Sequence, residues 1–331
     1  IELMLTSPFV RKPTSVQQVM FTVLVALLPA VALYVWQFGP GIVVNIIIAT
    51  LSAVGAEAAI LKLRKKPVGL YVSDLSAVVT AWLIALTFPT ILPAWILILA
   101  TVLSIVAVKQ LYGGLGQNPF NPAMAAYCLM IVAYPSAMSQ WPAAGWMDLS
   151  THLQLIGGAS LDAMTGATPL DALRTGLRSG APVSDVLTHE AFGILGGRGW
   201  EWIGLGYLAG GLFLIQRRFI TWHLPTAFVG GLIIVSGLFW MANPAHYASP
   251  LFHLASGGTL LAAFFIVTDP VSGATTPRGK LIFAASIALI TYLIRNFGAY
   301  PDGIAFAVLL MNLCVPLIDM KTQPRVFGHK G

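Results

Sequence analysis

Apolar residues along this chain run in long blocks, with neither the short alternation of a half-buried strand nor the one-sided stripe of a surface helix. The blocks fall at 16–36, 41–63, 75–88, 93–110 and 122–138, and again at 202–215, 224–242, 254–268, 281–294 and 303–318. Half of them reach the roughly 17–25 residues that carry a helix across a bilayer, and the shorter ones approach it. The pattern therefore predicts an all-α integral membrane protein of about ten transmembrane helices in two groups of five. Between the groups lies 139–201, the one long segment without a spanning run, rich in Gly, Ser, Asp and Thr. It reads as an extramembrane insert.

The two groups also echo one another. Ser76, Thr80, Ala85, Thr87 and Pro89 find approximate counterparts in Ser256, Thr259, Ala263, Thr268 and Pro270, with a one-residue slip. Lys109 and Arg295, Gly114 and Gly298, and Pro135 and Pro316 then follow in the same order. An odd number of spans per group turns the second group upside down relative to the first. The expected organisation is an inverted repeat: 1–138, an insert at 139–201, 202–318, and a tail at 319–331. In such folds, short or Pro/Gly-broken spans at matching positions line a site within the bilayer. Spans three and eight, followed by Pro89 and Pro270, are the short ones here, with Phe88 and Trp82 as guesses for ring contacts.

Composition settles the class. Hydrophobic residues make up 57% of the chain and charged ones 9%, with a mean hydropathy of +0.82, far from soluble usage. The chain opens at Ile1 with no short apolar stretch ending in a small-residue cleavage site, so a trimmed N-terminus and insertion through the first span are expected. Lysine and arginine in the short connections then fix orientation. With an inner N-terminus, Arg11, Lys12, Lys62, Arg64, Lys65, Lys66, Lys109, Arg217, Arg218, Arg278, Lys280, Lys321, Arg325 and Lys330 all fall inside, and only Arg295 falls in a short outer connection. Both termini are expected in the cytoplasm and the insert outside, which in a bacterial inner membrane means the periplasm. The net charge of +6 is then a basic rim facing anionic lipid, not a nucleic-acid surface.

Most other polar residues exclude chemistry. Cys128 and Cys314 lie in apolar runs without Cys-x-x-Cys spacing, and the six histidines show no metal-site spacing, so no metal site is expected. The histidines read as surface or interfacial, and the tryptophans beside span ends as an interfacial belt. No phosphate-cradling glycine loop appears. Asp74, Asp269 and Asp319 read as span-end caps or partners of Lys66, Arg278 and Lys321. Glu57, inside span two, is a costly charge with Lys62 one turn away. Gly206/Gly210 and Gly230/Gly231 read as close helix-packing points.

One pattern carries chemistry of its own. Asp162-Ala-Met-Thr165-Gly166-Ala167-Thr168 and Asp269-Pro-Val-Ser272-Gly273-Ala274-Thr275 both read Asp-x-x-Ser/Thr-Gly-Ala-Thr. The pattern resembles the acceptor sequence on which a flavin transferase mounts FMN by a phosphoester to the final threonine. Such chemistry needs a hydroxyl nucleophile, small residues that let the enzyme approach the backbone, and an upstream polar group, a role that Asp162 and Thr165 fit. Each copy also reads as an ordinary turn and helix cap. Topology separates them, because the transferase is periplasmic: Thr168 lies in the outer insert and Thr275 in an inner loop.

The longer context resembles one family. Asp74-Leu-Ser-Ala77 opens span three, Gly116-Gln-Asn-Pro-Phe-Asn-Pro-Ala123 precedes span five, Thr165-Gly-Ala-Thr-Pro169-Leu170 lies in the insert, and Tyr300-Pro-Asp-Gly-Ile-Ala-Phe-Ala307 opens span ten. Together they are similar to the D subunit of the Rnf ion-translocating electron transport complex and to its homologue, the B subunit of the sodium-pumping NADH:quinone oxidoreductase. The short segment before span one and the Thr-Gly-Ala-Thr-Pro-Leu form favour the former. The resemblance implies a membrane flavoprotein subunit that passes electrons between reduced ferredoxin and NAD, coupled to Na+ or H+ movement. It implies covalent FMN at Thr168, flanked by Gly166, Ala167, Pro169 and Leu170, and leaves room for a second, non-covalent flavin such as riboflavin. Implied partners are the membrane, cytoplasmic and periplasmic subunits of the complex, and the flavin transferase during maturation. A urea-transporter-like channel or secondary transporter shares the inverted-repeat signature and remains the alternative class.

Overall fold

The structure is a computed structural model describing residues 14–159, 165–189 and 191–324. It is all-α apart from one two-stranded pairing. The first half contains α1 (Val16–Phe38), α2 (Gly41–Leu63), the short α3 (Val68–Val72), α4 (Ser76–Thr87), α5 (Ala94–Leu103) running on into a π-helical segment Ser104–Gln110, and α6 (Pro122–Ala133). The segment after it holds α7 (Pro135–Ser139), β1 (Trp141–Pro142), α8 (Leu149–Ile156), β2 (Thr165–Gly166), α9 (Pro169–Arg178) and α10 (Val183–Val186). The second half contains α11 (Trp200–Gln216), α12 (His223–Ala242), α13 (Pro250–Ala255), α14 (Thr259–Leu261) continued by a π-helical segment Ala262–Ile266, α15 (Pro277–Phe297) and α16 (Ile304–Thr322).

Among the described residues, α1, α2, α12, α15 and α16 are long and apolar enough to cross a membrane, and α4, α5 with its π extension and α6 are shorter apolar helices. Many of their large apolar side chains are exposed, such as Ile47, Leu51, Ile234 and Leu313. That inversion of soluble-protein logic is what a hydrocarbon solvent demands.

The helix contacts obey a two-fold exchange. α1 packs along α11, and α6 packs on α16, each with its own counterpart. The α2 contacts with α3 and α5 are matched by those of α12 with α13 and α15, and the α5–α6 contact by α15–α16. At the α1–α11 seam, a methyl group on Gly210 would lie 1.9 Å from the Ala26 carbonyl oxygen and one on Gly206 2.5 Å from the Ala30 Cα. Small residues therefore set this interhelical distance, as expected in lipid, where close backbone packing drives association. Gly231 likewise faces Ala288, whereas Gly230 faces open space.

Spans three and eight are broken, but at the opposite end from the one expected. α4 stops at Thr87 ahead of Pro89, and the π-helical segment after α14 stops ahead of Pro270, so both prolines merely follow helix ends. The interruptions precede α4 and α14 and carry a left-handed residue each, Leu75 at φ 63° and Gly257 at φ 63°. A non-glycine residue in that region costs roughly 1–2 kcal/mol. The Asp74 carboxylate offsets part of it by accepting from the Ser76 amide at 2.7 Å.

Candidate functional site

Thr168 sits where a short strand hands over to a helix. Thr165–Gly166 pairs antiparallel with Trp141–Pro142, which fixes the approach of the segment. Pro169 follows as the first residue of α9, its ring holding φ ready for a helix. The Thr168 Oγ1 accepts from the Asp171 amide at 3.2 Å, an N-cap. The cap reading is therefore realised in full. Thr168 is half-buried, Ala167 beside it is exposed, and Pro169 and Leu170 are buried. Asp162 lies outside the described residues.

Two glycines let this corner dock. A methyl group on Gly197 would lie 2.1 Å from Pro169 Cγ, and one on Gly257 would lie 2.7 Å from Leu170 Cδ1. Gly257 also takes the positive φ that Leu75 must tolerate at the equivalent break.

Thr168, Pro169 and Leu170 form one wall of a cavity of about 110 Å³. Aromatic rings supply much of the rest: Trp141 and Trp200, packed edge to face at 5.3 Å, with Tyr127 and Tyr207 deeper. These tryptophans, expected in an interfacial belt, line the site instead. Phe88 does not line the cavity but packs behind Tyr127 at 5.8 Å. Trp82 lines neither this cavity nor the next.

The polar wall is Asp302 with Gly257 and Gly258. Asp302 accepts from the Gly258 amide at 3.3 Å and from the buried Arg295 Nε at 3.2 Å. Arg295 also donates to the His253 carbonyl at 3.0 Å and to Thr259 Oγ1 at 2.9 Å. This guanidinium, counted from sequence as a loop cation, is a buried clamp joining the span-eight break to the starts of α14 and α16.

A second cavity, of about 150 Å³, opens at the opposite face. Exchanging α1 with α11, α4 with α14 and α6 with α16 relates part of the two linings: Val19, Met20 and Val23 of α1 answer to Trp200, Ile203 and Tyr207 of α11, whereas Trp141 and Thr168–Leu170 line the first cavity alone. Ser76, Thr80, Lys109, Asn118, Asn121 and Asp269 provide its polar lining. Asn121 caps α6, its Oδ1 accepting from the Ala123 and Met124 amides at 3.1 and 3.2 Å, and its Nδ2 donates to Asp269 Oδ2 at 3.4 Å. Lys109 donates to Glu57 at 2.7 Å and to Ser76 Oγ at 2.6 Å, and Gln110 donates to the same Glu57 oxygen at 2.7 Å. Glu57 thus pairs with Lys109, 52 residues away, and not with Lys62 one turn on. A lone cation inside an apolar run was the available signal for this pair; the sequence offered no way to name its partner.

The second copy of the repeated motif closes this inner cavity. Asp269 accepts from Ser272 Oγ at 2.7 Å and from the Val271 amide at 3.0 Å. The Ser272 carbonyl accepts from Asn312 at 2.8 Å. Thr275 Oγ1 donates to Asp319 at 2.8 Å, and the N-cap duty falls to Thr276. Asp269 and Asp319 are therefore loop anchors, not partners of Arg278 and Lys321, and Asp74 holds Ser76, not Lys66. Cys128 is buried and Cys314 half-buried. His152 and His253 are also buried, correcting their reading as surface groups. Among the described residues no His, Cys, Asp and Glu side chains gather into a metal-binding group.

Residues 3–328 match the profile of the NQR2, RnfD, RnfE family. The chain belongs to that family. It is 46% identical over 343 residues to the D component of the ion-translocating oxidoreductase complex of Aeromonas salmonicida, a match that covers 98% of both chains. The D components of the same complex from Escherichia fergusonii and Shewanella amazonensis are 44% and 46% identical, again over 98% of each chain. The matched residues take in both halves, the insert and the residues that line both cavities.

Proposed function

We propose that this chain is the flavin-bearing membrane subunit of an ion-translocating ferredoxin:NAD oxidoreductase, with FMN held as a phosphoester of Thr168. The observation that carries the reading is the contrast between two copies of one motif, Asp-x-x-Ser/Thr-Gly-Ala-Thr. The Thr168 hydroxyl stands at the rim of an aromatic cavity at the N-terminus of a ten-residue helix, whereas the Thr275 hydroxyl is bound to Asp319. A helix N-terminus suits a phosphate, because its free amides and the helix dipole both favour negative charge. Trp141, Trp200, Tyr127 and Tyr207 offer apolar faces for a fused ring. When bound, FMN supplies one-electron chemistry; Thr168 tethers it and the aromatic walls keep water away.

The inner cavity is the place for a second, non-covalent flavin. Ser76, Thr80, Asn118, Asn121 and Asp269 offer both donors and acceptors to a polar ring edge, opposite Phe264 and Phe265. The basic face with Arg64, Lys66, Arg217 and Lys280 is cytoplasmic by charge bias, and the Thr168 face is periplasmic, within a bacterial inner membrane. Residues 1–138 and 202–318 then act as opposed repeats that carry one cavity each toward opposite sides. Other members of the complex deliver and remove electrons, and Na+ or H+ moves in response.

The test is the mass of the denatured chain together with in-gel flavin fluorescence, after co-expression with a flavin transferase, for the unaltered protein, Thr168→Val and Thr275→Val. Loss of the FMN adduct in Thr168→Val alone is expected. A fluorescent Thr168→Val protein, or no adduct on the unaltered chain, sinks the reading and promotes the transporter class.

A further inference from the structure

A third cavity, of about 570 Å³, lies on the outer surface of the second half between α11, α12 and α13. Leu205, Leu208 and Leu212 form one side, and Val229, Leu251 and Leu254 the other. Three of its lining side chains can hydrogen-bond: the Trp202 indole at one end, and Glu201 and Thr226, which are already engaged. Glu201 accepts from the Leu195 amide at 3.0 Å, and Thr226 Oγ1 donates to the Trp222 carbonyl at 2.7 Å. A ligand with polar groups along its length would leave them unpaired here, at a cost that hydrocarbon does not incur.

The groove has a direction. It follows α11 from Trp202 to Ile215, about 20 Å at helical rise. That exceeds one leaflet's share, roughly 15 Å, of the hydrocarbon core. Trp202, packed edge to face on the exposed Trp36 at 6.1 Å, marks one end.

The other end runs into cations. Arg217 and Arg218 follow Ile215 by two and three residues and are both exposed, and Lys280 reaches the same turn, its Nζ 3.5 Å from Thr221 Oγ1. None of the three makes an ion pair among the described residues. Arg218 occupies the helix-ending position at φ 61°, where glycine is the usual residue, so a guanidinium is held there despite backbone strain.

We propose that this groove binds one acyl chain of an anionic phospholipid, with the phosphate received by Arg217, Arg218 and Lys280. The lining selects a hydrocarbon chain, and the cationic turn selects the headgroup, since guanidiniums match phosphate geometry. Phe264 is shared by this groove and the inner cavity and rests against Gly211, where a methyl group would lie 2.1 Å from the ring. A seated chain therefore backs the aromatic wall of the inner cavity.

The experiment uses the assembled complex in vesicles containing a phosphatidylglycerol with a photoreactive acyl chain, compared with a phosphatidylcholine bearing the same chain. Crosslinked residues are mapped by peptide mass spectrometry. Labelling concentrated at 205–215, 225–229 and 251–260, at least threefold stronger for phosphatidylglycerol, is expected. The Arg217→Gln/Arg218→Gln/Lys280→Gln protein, confirmed as assembled by its elution, should lose that preference. Equal labelling by both lipids, labels spread evenly over other outward residues such as Ile47, Leu51 and Leu313, or a groove shielded from lipid in the complex yet labelled in the isolated chain overturns the proposal; the last outcome assigns the groove to a partner's helix.

Discussion

The outer and inner cavities are built from exchanged copies of the same helices, yet their charges are arranged in opposite order. At the inner cavity the cation of the pair, Lys109, faces the space that Asp269 also lines, and its partner Glu57 lies behind it, both side chains of the pair at 3% exposure or less. At the outer cavity the anion, Asp302, faces the space with 21% of its side chain exposed, and the cation Arg295 lies behind it at 1%. An inverted repeat thus preserves the positions of the broken helices while leaving each half free to choose which charge meets the site. The two pairs also differ in how much they depend on each other, because a partly hydrated carboxylate tolerates the loss of its partner better than a dry one.

That difference can be broken at its strongest point first. Lys109→Met leaves Glu57 buried beside Gln110 alone, and removing one member of a dry ion pair costs roughly 3–5 kcal/mol. The expected result is loss of monodisperse protein, or a large drop in the thermal midpoint followed by fluorescence in detergent. Glu57→Gln combined with Lys109→Met should recover most of it. A stable single variant would mean that the pair does not hold α2 to the π-helical segment.

Arg295→Met is the milder counterpart. Asp302 retains water and the Gly258 and Ile304 amides, so a loss of roughly 1.5–3 kcal/mol is expected, the range for charge-assisted bonds. The same melt measures it, and a loss equal to that of Lys109→Met would erase the distinction between the two pairs.

The two left-handed breaks sharpen the comparison further. Gly257→Ala places a methyl group 2.7 Å from both Asp302 Oδ2 and Leu170 Cδ1, in backbone that costs roughly 1–2 kcal/mol for any side chain. Leu75→Gly removes that same strain at the cost of a half-buried side chain, so its net change should stay within about 1 kcal/mol. Paired melts of the two variants test this; a harmless Gly257→Ala would show that the Thr168 corner is not seated on that glycine.

The smallest effect concerns the roof. His152 on α8 is buried against Gly41 with its Nε2 unpartnered, and burial lowers its pKa from the ordinary 6.5. The folded state therefore favours the neutral ring, and the unfolded state binds more protons once pH falls through about 6.5. The stability so contributed is present above that pH and fades below it. Measured against the intrinsic exchange rate at each pH, protection at 141–156 should fall between about pH 6.5 and 5.5, while that of the 116–123 loop at the inner face should not.

Much of the fold was legible from composition and block length alone, since in lipid every span must satisfy its own backbone and the sequence records that as uninterrupted apolar runs. All ten expected runs begin within five residues of an observed helix start, span four at Ala94 and span ten at Ile304 among them. Span eight is instructive all the same, because the one run expected at 254–268 takes in the end of Pro250–Ala255 and the whole of Thr259–Ile266, although Gly257 turns the chain between them. Its break is a backbone conformation, and hydropathy does not register φ.

The Thr168 corner was legible as a motif, with its proline and its cap, because those act over four residues. What the sequence by itself determined is therefore local: an all-α membrane chain, two groups of five, a basic side, and two threonines in near-copies of one motif, expected on opposite sides. The tertiary structure added the difference in their surroundings, by giving one a cavity and the other a carboxylate 44 residues away. It alone joined Glu57 to Lys109 and Arg295 to the far side of a broken helix, because a buried charge chooses its partner by position in space, across helices that sequence places in order but not in contact.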